Sequence, residues 1–461
     1  MSDNDRPNVL MIVADDHRFD AIGALGNDEI ETPHLDSLVE SGCAFTRHHN
    51  MGSEHGAVCV PARSMIHSGR SLFNLKGPGG MTTEHPTLPE RFGEAGYRTF
   101  GTGKWHNGIE AFNRCFDEGE DIFFSGMGNH WDLPVCARYP RDEYPEPVPT
   151  RTFDGVGSMF VGETTYDRYA SGTHASELFA DATREFIRSH GERTDDRPFF
   201  AYMATTAPHD PRTAPGEYHE RYYGEVDLPE NFQPEHPFDT GNLHGRDESL
   251  ENHPRDPEKV RRHIADYYAM ITHLDAQIGR VLDTLEATGE RENTIVMFTA
   301  DHGLAVGQHG LMGKQNLYDH SVRIPLVLAG PGVPAGERRD PLSVHYDLYP
   351  TLCELAGLNA PPTVEGESLV PTLSDAGHNH RESLFFAYSD LQRAVREDRF
   401  KLIEYDVDGE RTTQLFDLAS DPLEQHNLAD DGTHAEDLER LRDRLRTAQE
   451  RMDDPTRTDS Q

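Results

Sequence analysis

Three separated apolar runs constrain the fold more than any other feature of the chain. Asn8 to Ala14, Pro198 to Thr205 and Asn293 to Ala300 are nearly continuous in apolar residues rather than alternating. Such runs suit strands buried on both faces, as in a mostly parallel sheet flanked by helices. Each run ends in polar residues: Asp15-Asp16-His17, then Pro208-His209-Asp210-Pro211, then Asp301-His302-Gly303. In open α/β sheets, binding sites form at the carboxyl ends of strands. The feature that sets the fold class therefore also nominates a site. A chain of 461 residues is long enough for one large α/β core and a smaller unit.

Several short stretches carry chemistry. The adjacent carboxylates Asp15 and Asp16 are costly together unless a cation neutralises them; the alternative is a solvated turn. Tyr97 to Gly101 reads as a strand leading into Thr102-Gly103-Lys104-Trp105-His106. Extended backbone there puts Lys104 and His106 on one side. That pair suits an anion such as sulfate or phosphate, or else a solvated lysine beside a packed histidine. Gly307 to Lys314 is a glycine-rich loop carrying a second lysine.

Cys59-Val60-Pro61-Ala62-Arg63 has an unusual shape. Pro61 sits where a first helical residue would, Ala62 to Ile66 read as a short helix, and Gly69 closes it. Cys59 then lies just ahead of a helix N-terminus, where peptide dipoles favour negative charge. Arg63, one turn on, reaches back toward it. Cys59 is a candidate nucleophile of lowered pKa, or a buried structural thiol.

Around these stretches, helices are expected over Thr32–Ser41, Leu88–Ala95, Ser176–His190 and Lys259–Leu285. Residues 109–172 are irregular and rich in Gly, Pro and aromatics, with His130 and Arg138 as candidate substrate contacts. Residues 212–260 read as a lid or surface excursion. After Pro361–Gly366 the pattern changes to short strands at Leu384–Tyr388, Arg393–Arg396, Phe400–Tyr405 and Gln414–Leu418, then a helix over about Glu436–Met452. This predicts a catalytic unit over 1–375 and a small antiparallel sheet plus helix over 376–461.

Composition narrows the partners. The formal net charge is −38, and lysine occurs only at positions 76, 104, 259, 314 and 401. An acidic, lysine-poor surface fits a protein kept soluble in concentrated salt, as in a halophile, or an ordinary acidic cytosolic protein. Either way it argues against nucleic acid or an anionic membrane as partner. The five cysteines include no C-x-x-C pair, so neither a disulfide framework nor a zinc site is expected. Met1 to Pro7 is polar, and the next apolar run is too short for a signal peptide or membrane span. The expected location is cytoplasmic.

Cys-x-Pro-x-Arg followed by a helix and Gly69-Arg70 resembles the signature of the type I (formylglycine-dependent) sulfatases of the alkaline phosphatase superfamily. The resemblance extends to Asp15-Asp16, Lys104, His106, His209, Asp301-His302, Lys314 and the run Ala394 to Leu428. It implies an alkaline phosphatase-like fold and hydrolysis of a sulfate ester to an alcohol and inorganic sulfate. It implies that Cys59 is oxidised to Cα-formylglycine by a maturation enzyme, the hydrated aldehyde being the nucleophile.

On the same resemblance, Asp15, Asp16, Asp301, His302 and the residue at 59 hold one divalent cation, Ca²⁺ or Mg²⁺. Asparagine is common in the family at the place of His302, a softer ligand that leaves the metal's identity open. Arg63 orients the diol, His106 takes a proton from it, and Lys104 and Lys314 neutralise sulfate oxygens. His209, with Lys314, protonates the leaving alkoxide. Sulfated sugar, choline sulfate and aryl sulfate all remain open, with a small or oligomeric sulfated carbohydrate favoured. A phosphonate monoester or phosphodiester hydrolase with the same site is the alternative reading. An inactive anion-binding relative is a third.

Overall fold

The computed structural model describes residues 6–77, 80–140, 143–153, 159–193, 197–245 and 247–456. Residues 1–5 of the polar N-terminus lie outside the described residues. So do 141, 142 and 154–158 of the irregular stretch, and 246 of the surface excursion. Along the chain come β1 (Asn8–Asp15), α1 (Pro33–Ser41), β2 (Cys43–Phe45), β3 (Gly52–Ser53), α2 (Cys59–Ser68), β4 (Arg98–Lys104), β5 (Glu118–Phe123), α3 (Ala175–Gly191) and β6 (Phe199–Pro208). Then follow α4 (Pro257–Thr288), β7 (Thr294–Ala300), β8 (Leu326–Ala329), β9 (Glu337–Arg339), α5 (Leu348–Leu355), β10 (Leu384–Tyr388), β11 (Gln392–Arg396), β12 (Phe400–Val407), β13 (Glu410–Asp417) and α6 (Ala435–Arg451).

The main sheet has the strand order β9-β2-β8-β7-β1-β6-β4-β5. From β7 to β5 all neighbours are parallel; β8 runs antiparallel to both β7 and β2. The apolar runs form the central three strands, β7, β1 and β6. Alternate residues of β1 serve opposite faces. Leu10, Ile12 and Ala14 pack with Leu35 of α1, Phe179 of α3 and Ile271 and Leu274 of α4. Val9, Met11 and Val13 pack with Ile66 of α2 and Leu348 and Leu352 of α5. Burying both faces is what the unbroken apolar run requires, each larger side chain contributing about 1.5–3 kcal/mol.

A second sheet, β13-β12-β11-β10-β3, is antiparallel except where β10 runs parallel to β3. Its fifth strand comes from residues 52–53, just ahead of α2. Leu441, Leu445 and Ala448 of α6 share a core with Phe385 and Leu402 of this sheet and with Met51, Val58 and Met65 around α2. The C-terminal sheet thus packs beneath the helix that begins at Cys59.

The stretch 109–172 is more regular than its composition suggested. It holds a helix, Ile109–Cys115, the edge strand β5, and strands at Asp132–Val135, Val148–Phe153, Met159–Thr164 and Arg168–Ser171. β5 reads Glu-Gly-Glu-Asp-Ile-Phe, so its polar first half hides the strand. Edge strands tolerate such residues because one side faces solvent.

Candidate active site

Strand register brings the polar strand ends together. Ala14 of β1 sits beside Ala300 of β7, and the Asp301 N–H donates to Ala14 O at 3.1 Å. Asp15 and Asp301 therefore emerge side by side. On the other flank Asp15 opposes Pro208 of β6, so His209 follows directly. β4, beside β6, ends at Lys104. Gly103 makes that approach possible: its φ is +83°, and a Cβ there would lie 1.8 Å from Ala204 O.

α2 delivers Cys59 and Arg63. It starts at Cys59 itself and ends at the left-handed Gly69, so the cysteine is the first helical residue rather than the one ahead of it. Arg63 does not fold back onto Cys59 alone. Its Nε donates to Asp301 Oδ2 at 3.0 Å, and its Nη1 donates to Lys104 O at 2.9 Å and to the Tyr202 hydroxyl at 3.3 Å. Nη2 is buried without a protein partner. The strand ends at Lys104, so alternation along extended backbone does not place His106. Its φ of +61° turns the chain instead. Asp16, at φ +68°, is the other non-glycine site residue in this left-handed region.

The charges pair closely. Lys104 Nζ contacts Asp15 Oδ2, and Lys314 Nζ donates to Asp16 Oδ1 at 2.7 Å. His302 Nδ1 is 3.1 Å from Asp16 Oδ1, and its Nε2 is 3.5 Å from Asp301 Oδ1. His209 Nε2 lies 3.9 Å from Asp16 Oδ2. Cys59 Sγ sits 3.4 Å from His302 Nε2 and 3.9 Å from Lys314 Nζ. Burial opposes ionisation of this thiol, but Lys104 and Lys314 more than offset it and hold the group well below the ordinary thiol range. Burial also disfavours a charged His302, yet Asp301, Asp16 and Cys59 together override it and push the imidazole up to about 9. Burial, with Lys104 and Arg63, lowers His106 against the opposing pull of Cys59. Burial also opposes a charged His209, but Asp16, Asp210 and Asp15 together outweigh it and raise the group.

The donor set fits a cation. Among the described residues, one ligand atom each from Asp15, Cys59, Asp301 and His302 lies within 4.8 Å of the others, all buried. Asp15 Oδ1 is buried with no hydrogen-bond partner. An orphaned carboxylate oxygen is expensive, and a divalent ion would satisfy it. Asp16 falls in a second such group with Asp15 and His209. Carboxylate oxygens suit Ca²⁺ or Mg²⁺, while the imidazole is softer and must shed its proton to ligate.

Of the residues expected from sequence, Asp15, Asp16, Cys59, Arg63, Lys104, His106, His209, Asp301, His302 and Lys314 meet at this one sheet edge. His130 and Arg138 do not join them. His130 is buried behind the site, with Nε2 2.9 Å from His209 O. Arg138 is bound to Phe116 O at 2.7 Å beside the edge strand β5. Sequence reasoning missed Tyr202, which meets Arg63, and Tyr267 on α4, whose hydroxyl donates to Asp16 O at 2.6 Å. Both lie inside otherwise apolar or helical stretches, where nothing local distinguishes them from core residues.

Comparison with known proteins agrees with this geometry. Residues 7–358 match the family model for sulfatases, and residues 307–451 match that for the C-terminal part of N-sulphoglucosamine sulphohydrolase. The chain is 28% identical over 461 residues to an arylsulfatase of Clostridium perfringens, covering 95% of this chain and 93% of that one. It is 29% identical over 449 residues to a choline-sulfatase of Rhizobium meliloti, covering 92% and 83%. A solved structure in complex with its substrate, D-glucosamine-2-N,6-O-disulfate, shares the fold with TM-score 0.76 and 21% identity, over 99% of this chain and 100% of that one. By the match over residues 7–358, the chain belongs to the sulfatase family of the alkaline phosphatase superfamily and is a sulfuric ester hydrolase.

Proposed function

We propose that this protein hydrolyses the sulfate ester of a sulfated carbohydrate or another small alcohol, using Cys59 converted to formylglycine and one divalent cation. The convergence of Cys59 with Asp15, Asp301 and His302 at the start of α2 carries this reading. Asp15, Asp16, Asp301 and His302, with the side chain at 59, would hold the ion, Ca²⁺ before Mg²⁺. When bound, it would polarise a sulfate oxygen and favour ionisation of the nucleophile. The formylglycine would supply, as its hydrate, two hydroxyls at one carbon.

The protein's own groups do the rest. Arg63, locked by Asp301 and Tyr202, presents its remaining Nη2 to orient the hydrate. Lys104 and Lys314 meet the sulfate oxygens and neutralise charge as it shifts in the transition state. His209, held raised by Asp16, gives a proton to the departing alkoxide, with Lys314 beside it. His106, lowered by burial, is a neutral base able to accept the second hydroxyl's proton, which returns the carbonyl and releases sulfate. An unmodified thiol has no second hydroxyl and would stall at the ester.

A peptide mass spectrum of protein from its own or a related host tests the nucleophile. The tryptic fragment His48–Arg63 should carry formylglycine at 59 and react with a carbonyl probe. An unmodified thiol in mature native protein would sink the mechanism. A panel of sulfate esters and phosphodiesters then tests the bond cleaved. Dominant phosphodiester turnover would replace the sulfate preference with the phosphonate and phosphodiester reading.

A further inference from the structure

The turn that carries Lys314 is held from outside by a buried carboxylate that the reaction scheme does not use. Glu248 lies in the short turn Asp247–Leu250, between β6 and α4, and is 4% exposed. Its Oε2 accepts the Met312 N–H at 2.9 Å and its Oε1 accepts the Gly313 N–H at 2.9 Å. These are the two peptide groups immediately before Lys314. Arg255, 1% exposed, closes the other side. Its Nη2 pairs with Glu248 Oε2, its Nη1 donates to Glu248 O at 2.7 Å, and its Nε donates to Gly310 O at 3.0 Å. After Lys314, Gln315 Nε2 donates to Asp247 Oδ2 at 2.7 Å. The fit is close: a Cβ on Gly313 would lie 2.9 Å from Glu248 Oε1 and 3.0 Å from the Asp247 Cβ.

Lys314 is thus clamped on both sides while its ammonium reaches Asp16 at 2.7 Å and Cys59 Sγ at 3.9 Å. A carboxylate taken out of water is expensive even when paired. A neutral turn would hold a loop at less cost, so the charge calls for a reason beyond closing the chain. We propose that Glu248 is a positioning residue for Lys314: its carboxylate, anchored by Arg255, fixes the peptide groups of Met312 and Gly313 and so sets the aim of the Lys314 ammonium at the reacting sulfate. This rests on the role of Lys314 given above.

An ionised carboxylate accepts both N–H groups strongly, whereas protonation leaves one oxygen a hydroxyl and a weaker acceptor toward its N–H. Burial raises Glu248, Arg255 and the two N–H groups pull it back, and it stands at about 7. The clamp therefore engages as pH rises through neutrality. The charged and titratable groups facing it are Arg255 and Asp247 on its own segment and Lys314 across the turn. Behind Arg255 stand Glu251 and, on α4, Lys259 and His263.

The test compares mature, metal-loaded wild type with Glu248→Gln and with Glu248→Gln/Arg255→Met, which also removes the orphaned buried charge. Turnover of 4-nitrophenyl sulfate across pH, binding of inorganic sulfate by calorimetry, and melting temperature are read together. In both variants kcat/KM above neutrality should fall about 10- to 100-fold while the melted fraction at assay temperature stays negligible. The acid limb near pH 7 should be present in wild type and absent from both, and sulfate should bind about tenfold more weakly. Unchanged kcat/KM and sulfate affinity in the double variant, or an acid limb that persists there, would overturn the proposal. If no protein turns over this ester, the aryl sulfate is not among its substrates. The sulfate titration then decides alone, with equal affinities overturning the role of Glu248 and weaker binding upholding it.

Discussion

Arg63 and His302 show how much each site residue does through fixed geometry. Arg63 has its Nε and Nη1 committed to Asp301, Lys104 O and Tyr202. Arg63→Lys keeps the charge and loses the planar fork, so it cannot hold Asp301 and still face the nucleophile. Its kcat/KM on an aryl sulfate is expected to fall about 10²- to 10³-fold with little change in far-ultraviolet circular dichroism. His302→Asn replaces a soft ligand with a hard oxygen. Melting curves with added metals check this. The rise in melting temperature with Ca²⁺ should persist in the variant, and the rise with Mn²⁺ should shrink. Chelation should lower the wild-type melting temperature, since an ion at 100 times its Kd stabilises by about 2.7 kcal/mol.

The turns that join elements rest on buried charges. Asp347 stands at the start of α5 and accepts N–H groups from Val344 and Glu367, each at 3.0 Å. His380 Nε2 lies 3.1 Å from its Oδ2, and the Arg381 Nε donates to the same oxygen at 3.0 Å. Burial alone would raise this carboxyl, but Arg381 and His380 hold it well below its ordinary 3.8. A depressed folded pKa means its stabilisation is present above about 3.8 and is lost as pH falls through the folded value. Asp347→Asn leaves Arg381 without its buried counter-charge, so it should cost about 3–5 kcal/mol at neutral pH. Urea melts at several pH values check it: the gap to wild type should narrow below the ordinary carboxylate range. The close approach at Gly103 gives a second case. Gly103→Ala should destabilise the protein and displace Lys104, with activity lost before the fold.

For the molecule as a whole, the formal charge of −38 dominates. Lys104, Lys314 and Lys401 are buried, and Lys401 pairs with Asp319 at 2.9 Å and Glu424 at 2.7 Å. The protein thus keeps most of its few lysines for interior pairs, and arginine supplies most of the cations among the surface carboxylates. Self-repulsion among these should weaken the fold at low salt and be screened at high salt. A gain of a few kcal/mol, roughly 3–5 °C in melting temperature for a chain of this length, is expected between dilute and concentrated KCl. A flat response would remove the halophile reading of the composition.

The sequence alone determined the sheet, because continuous apolar runs can be buried only on both faces. It also determined most of the site, because polar groups at the ends of such runs share one edge by topology. Asp15, Asp301 and His209 were legible for this reason, and Cys59 from its place at a helix start beside Arg63. Only the tertiary structure decided how the charges pair, since Lys314–Asp16 and Arg63–Asp301 join residues hundreds of positions apart. Tyr202, Tyr267 and Glu248 were invisible beforehand, because a lone polar residue in an apolar run, a helix or a charged loop carries no periodic signal. The regular strands within 109–172 were hidden because short edge and hairpin strands need no continuous apolar run. The packing of Met51, Val58 and Met65 around α2 against the C-terminal sheet was equally hidden, because it joins segments far apart in the sequence.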